Sequence, residues 1–149
     1  MQYAFYFDQS RCSGCDTCTV SCKDWNGINP GPVKLRRKYD MEETGTFPDV
    51  KTSYLVYGCH HCNQPACMDA CPTGAIKKED ATGLVLVDEE LCTGYGECVK
   101  KCPYGNVLRM DDVQEPGVSV HKAHKCTACY DRLAVNKQPI CVGACPHRA

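Results

Sequence analysis

The chain has 149 residues, a formal net charge of −1 and an isoelectric point near 6.5, so no excess of positive charge draws it to nucleic acid. No stretch approaches the about eighteen uninterrupted apolar residues that a membrane-crossing helix needs. Its fifteen cysteines are about a tenth of the sequence, a density that signals either a disulfide scaffold or bound metal. They fall in four tight groups and their total is odd, whereas disulfide frameworks scatter cysteines and favour even counts. Thiols separated by two residues converge on one point, as a metal centre requires.

The opening residues carry neither a basic n-region nor a long apolar h-region, so no secretory signal is expected. The aromatic residues 3–7 predict a short buried strand leading into the first cysteine group. That group is Cys12, Cys15, Cys18 and Cys22, with intervals of two, two and three residues. Gly14 precedes the second cysteine, where the loop has to curl with its amides turned inward. Residues 23–53 contain no cysteine and read as an excursion, with turn chemistry over 26–32. Trp25, the sole tryptophan, is expected to pack against the cysteine loop. Lys34, Arg36, Arg37 and Lys38 read as a solvated basic face, with contact to a partner or shielding of cluster charge as the sharper alternative.

Residues 54–57 predict a second strand. The second group follows as Cys59, Cys62, Cys67 and Cys71, with intervals of two, four and three, closed by Pro72. Residues 73–76 read as a turn and strand start, and 84–87 as the next strand. The third group is Cys92, Cys98 and Cys102, closed by Pro103, with Tyr95 standing where the second cysteine belongs. A further turn and strand are expected over 103–108, and an apolar run at 118–120. The fourth group is Cys126, Cys129, Cys141 and Cys145, closed by Pro146. The repeat predicts an apolar strand beyond this point, so the C-terminus reads as truncated.

Bacterial iron–sulfur runs use intervals of two, two and three residues and a closing proline, and the last cysteine of each run serves the other cluster of a pair; the first group departs in lacking a proline after Cys22, and the second and fourth carry insertions. Two pairs of groups therefore make four clusters. Sixteen positions are available, fifteen are cysteine, and the shortfall is Tyr95. Histidine is not needed to complete the count. A Rieske centre takes two histidines on one iron, so His61 reads as a hydrogen-bonding residue toward a cluster sulfur or the backbone. His60, His121 and His124 receive no role. Tetrahedral zinc also uses Cys-x-x-Cys pairs and gives a competing reading as a zinc-binding structural module, against which the triple cysteine runs and closing prolines argue.

The whole chain resembles the four-cluster iron–sulfur subunits of dimethyl sulfoxide reductase-family molybdopterin enzymes. The cysteine pattern carries the resemblance, together with the run His61-Cys62-Asn63-Gln64-Pro65-Ala66-Cys67. It implies an α+β fold of two pseudo-symmetric ferredoxin-like modules with short antiparallel strands and long cluster-wrapping loops. The outer module would comprise 1–53 and 109–149, and the inner module 54–108. One cluster would take Cys12, Cys15, Cys18 and Cys145, and another Cys22, Cys126, Cys129 and Cys141. A third would take Cys59, Cys62, Cys67 and Cys102, leaving Cys71, Cys92 and Cys98 for the last.

Family members with tryptophan in place of Tyr95 carry a three-iron cluster there, and the resemblance implies one here, at a higher potential than its neighbours. A four-iron cluster with a phenolate ligand and an empty site are the alternatives. The implied function is a non-catalytic electron relay, since no nucleophile, acid–base pair or phosphate loop has a recognisable context. Electrons would pass between a molybdopterin-containing catalytic subunit and a membrane quinone-linked subunit or soluble carrier. A polyferredoxin subunit of a hydrogenase or hydrogenlyase complex is the runner-up. The expected location is peripheral to a prokaryotic membrane, extracytoplasmic by co-export with a partner, with the cytoplasmic side as the alternative.

Overall fold

The structure, a computed structural model, describes residues 2–28, 37–109 and 122–149. The described elements are short helices and three two-stranded antiparallel sheets joined by long loops. Helix α1 spans Thr17–Trp25 and ends where the Asn26 side chain turns back to donate to the Cys22 carbonyl at 2.7 Å. Strands β1 (Arg37–Thr44) and β2 (Lys51–Gly58) form a hairpin in which Arg37 faces Gly58 and Thr44 faces Lys51. Gly45 closes it at φ 91, and a Cβ there would lie 2.2 Å from the Asp49 carbonyl oxygen, so no larger residue fits. The hairpin lies partly in the stretch read as an excursion, and it runs through the 53/54 position.

Helix α2 (Ala66–Asp69) and helix α5 (Ile140–Gly143) are single turns built on one pattern. Each follows a proline, Pro65 or Pro139, whose restricted φ prepares the first turn, and each leads to a Cys-Pro pair. Strands β3 (Ile76–Lys78) and β4 (Val85–Val87) pair with Ile76 opposite Val87. Helix α3 covers Glu97–Lys101. Strand β5 (Leu108–Arg109) pairs with β6 (Ala123–His124), which joins the third and fourth cysteine groups. Helix α4 is Tyr130–Leu133. Among the described residues no helix is long and apolar enough to cross a membrane.

The core sits between the cysteine loops. Ile76, Val85, Cys98, Val107 and Ala123 are buried together, with Cys67, Cys71, Cys92 and Cys102 packed against them. Burying a valine or isoleucine side chain here contributes about 1.5–3 kcal/mol. So small an apolar core leaves the thiols as part of its wall.

The strand expected over residues 3–7 does not form. The Tyr3 N–H donates to the Thr82 carbonyl at 3.0 Å, and Tyr6 is 88% exposed. An aromatic run favours burial, but a strand needs a ladder beside it, and the described residues supply none there. Tyr3, Phe5 and Tyr6 instead help line a cavity of about 670 Å³, together with Leu133 and Val142. The basic run at 34–38 and the apolar run at 118–120 lie outside the described side chains.

Candidate metal centres

None of the fifteen cysteines forms a disulfide. The residue before the second position of each group has a left-handed backbone: Gly14 at φ 69, His61 at 45, Gly94 at 72 and Ala128 at 53. This conformation turns successive amides toward one point, the geometry that cradles anions. Tyr95, which follows Gly94, therefore occupies the same place in its loop as Cys15, Cys62 and Cys129 occupy in theirs. A shift in register does not explain the missing thiol.

Amides point at sulfur in several loops. Cys59 Sγ accepts from the His61 N–H at 3.5 Å, Cys102 Sγ from Asn106 at 3.3 Å and Cys92 Sγ from Ala123 at 3.4 Å. Cys126 Sγ accepts from Ala128 at 3.3 Å. Such bonds tune the potential of any iron the sulfur holds.

Helix pairing brings the groups together. Helix α2, with Cys67, packs on α3, with Cys98; helix α1, with Cys18 and Cys22, packs on α5, with Cys141. Three cavities result, each walled by thiols from two groups. One is lined by Cys59, Cys62, Cys67 and Cys102. A second is lined by Cys71, Cys92 and Cys98 with Tyr95, and a third by Cys12, Cys15, Cys18 and Cys145, with Cys141 beside them. Cys22, Cys126, Cys129 and Cys141 are all buried, on α1, on the turn before α4 and on α5. Tyr95 keeps 70% of its surface exposed, so the phenol edges its cavity with most of the ring open to solvent.

Burial disfavours the thiolate at two of these cysteines. Burial pushes the Cys67 thiol up to about 11; Lys125 offsets part of this, and Cys59 and Cys102 beside it add to it. Burial likewise raises Cys98, with Cys92 and Cys71 contributing. Crowded thiols of this kind keep their protons unless a cation replaces them. Among the described residues no three His, Cys, Asp or Glu side chains are arranged to hold a single metal ion. Thiol walls around a cavity fit an iron–sulfur cluster, whose irons lie apart and each take one thiolate.

His61 bonds the backbone: its Nδ1 accepts the Val85 N–H at 2.9 Å, which places its proton on Nε2. Burial, helped by Lys125, lowers its pKa to about 3, so the ring is neutral. Trp25 is not a buried packing residue. It is half-exposed, donates from Nε1 to Asp131 Oδ2 at 3.2 Å and lies 4.6 Å from the Arg132 guanidinium, tying α1 to α4. His60 meets the ring of Tyr104 edge-on at 4.4 Å beside the Cys59 cavity.

Two residues escaped the sequence reading. Asn106 donates from Nδ2 to the Gly58 carbonyl at 2.7 Å, and the signal for it was the contrast between Cys71-Pro-Thr-Gly-Ala75 and Cys102-Pro-Tyr-Gly-Asn106. Lys125 is buried, and nothing in the local sequence separates it from the solvated lysines around it.

A 4Fe-4S dicluster domain model matches residues 50–149, and a second 4Fe-4S dicluster model matches residues 11–76. The sequence is 43% identical to the B polypeptide of the anaerobic dimethyl sulfoxide reductase of Escherichia coli, over 99% of its own length and 71% of the relative. It is also 43% identical to YnfG, a polypeptide of a probable anaerobic dimethyl sulfoxide reductase of Escherichia coli, with the same coverage. The B polypeptide of the sulfite dehydrogenase of Allochromatium vinosum is 36% identical, over 99% of the present sequence and 67% of the relative. With its thiol-lined cavities and these relatives, this protein belongs to the ferredoxin-like iron–sulfur subunits of dimethyl sulfoxide reductase-family molybdopterin oxidoreductases.

Proposed function

We propose that the protein is a four-centre electron relay that performs no catalytic step of its own. The observation that carries this reading is the sorting of thiols from different groups into separate cavities. Cys12, Cys15, Cys18 and Cys145 would hold one cluster, and Cys22, Cys126, Cys129 and Cys141 a second. Cys59, Cys62, Cys67 and Cys102 would hold a third, and Cys71, Cys92 and Cys98 the last. The first two form an outer module and the last two an inner one, related by pseudo-symmetry. The α1–α5 and α2–α3 packings, each joining two cysteine-bearing helices, support that division. When bound, the clusters supply one-electron redox chemistry; the polypeptide supplies thiolates, inward-turned amides and apolar walls that set potential and exclude water.

The centre beside Tyr95 is a three-iron cluster. Its loop curls like the other three, yet its second position offers a phenol, so three thiolates remain for a site shaped for four. The partners are a molybdopterin catalytic subunit and a membrane anchor or soluble carrier, and the relay works at the extracytoplasmic face after co-export. Similarity to the B polypeptide of dimethyl sulfoxide reductase supports the partner assignment.

Electron paramagnetic resonance of the complex during a redox titration tests the reading. Oxidised native protein is expected to show a three-iron signal that disappears in Tyr95→Cys, where a fourth thiolate completes the site. Iron-replete native protein without that signal refutes the three-iron assignment. Reduced protein without four-iron signals refutes the relay.

A further inference from the structure

Lys125 is 3% exposed, which is rare for lysine unless its charge is matched. Its ammonium donates to the Val85 carbonyl, to the Cys126 carbonyl at 3.0 Å and to Cys59 Sγ at 3.6 Å. Among the described residues no carboxylate pairs with it. Carbonyl dipoles alone leave a buried ammonium costly, so the charge needs an anion. Cys59, from the second group, offers one, while Lys125 itself adjoins Cys126 of the fourth. The ammonium thus stands between a thiol of the centre on Cys59 and the backbone of Cys126, which the relay reading assigns to a different centre.

Resting on the relay reading above, we propose that Lys125 is a positioning residue that raises the reduction potential of the centre on Cys59, Cys62, Cys67 and Cys102. Reduction adds one electron, delivered by a neighbouring iron–sulfur centre. No covalent bond forms or breaks in this step. The negative charge facing the ammonium grows by one unit, so Lys125 stabilises the reduced form more than the oxidised form. Exclusion from water keeps this attraction from being screened. Lys78 provides the contrast: its ammonium bonds the Cys62 and Asn63 carbonyls at 3.1 and 3.2 Å and reaches no sulfur.

The test is a redox titration of the intact complex followed by electron paramagnetic resonance, with the signal altered by Cys59→Ser identifying the centre. In Lys125→Met the equilibrium constant for its reduction is expected to fall at least tenfold, which is about 59 mV for one electron. Lys125→Arg, which keeps the charge, should stay within about threefold of native, and Lys78→Met should move less than Lys125→Met. An iron-replete Lys125→Met with native potential overturns the proposal. If the neutral variant loses its iron, pulsed resonance on protein labelled with ¹⁵N-lysine decides. A nitrogen coupling at the reduced centre, present in native protein and missing in Lys125→Arg, supports the contact, and its absence from native protein overturns it. Native complex lacking reduced four-iron signals would instead sink the relay reading.

Discussion

Replacing Asn106 with alanine removes one amide from the protein and leaves the backbone untouched. The side chain is 7% exposed and its Nδ2 donates to the Gly58 carbonyl at 2.7 Å, immediately before Cys59. Its own N–H meets Cys102 Sγ at 3.3 Å. One residue therefore holds together two groups whose thiols wall the same cavity. Alanine strips the Gly58 carbonyl of this donor, and leaving a buried acceptor unsatisfied costs about 1–3 kcal/mol. A loss of about 1–3 kcal/mol, at about 1.4 kcal/mol per tenfold, accelerates opening of this cavity by roughly 5- to 140-fold. The assay is the bleaching rate of the iron–sulfur charge-transfer band under an iron chelator. Asn106→Asp, which sets an acceptor against the Gly58 carbonyl, is expected to bleach at least as fast. A native bleaching rate in Asn106→Ala would falsify this account of the contact.

The Trp25 clamp and the iron itself give simpler expectations. Because Trp25 is half-exposed, Trp25→Leu should cost less than about 1 kcal/mol and lower the melting temperature by only a few degrees; a loss as large as that of a core truncation refutes a surface role. Removing iron by chelation under acid should expose all fifteen thiols to a thiol reagent and abolish the helical circular dichroism, because helices of four to nine residues do not stand alone. A native spectrum in the iron-free protein refutes a cluster-dependent fold.

Much of the site was legible in the sequence because it is local. Two or three residues between thiols decide whether they reach one point, and the glycines before Cys15 and Tyr95 announce a left-handed turn without regard to the rest of the fold. His61 and Ala128 take the same turn with side chains present, and that was not legible, since the neighbouring loop contacts hold them there. Strands near 54–57 and 84–87 were readable from β-branched and aromatic residues, within one to three residues of β2 and β4. The β1 strand was not, because its pattern is interrupted by charge and its pairing to β2 supplies what its side chains do not announce.

Cysteine spacing alone determined iron–sulfur chemistry over disulfides, and the thiol count alone singled out Tyr95. Both are properties of short covalent intervals. The tertiary structure decided that Tyr95 sits in a loop curled like its three counterparts, largely open to solvent. It decided that residues 3–7 find no ladder, that Asn106 ties Gly58 to the Cys102 loop, and that Lys125 is buried against Cys59. These are contacts through space between residues about fifty or more apart in some cases, as with Lys125 and Cys59 at a separation of 66. A lysine beside a cysteine reads as solvated until another loop closes over it, and burial then turns an ordinary charge into one that needs an anion beside it.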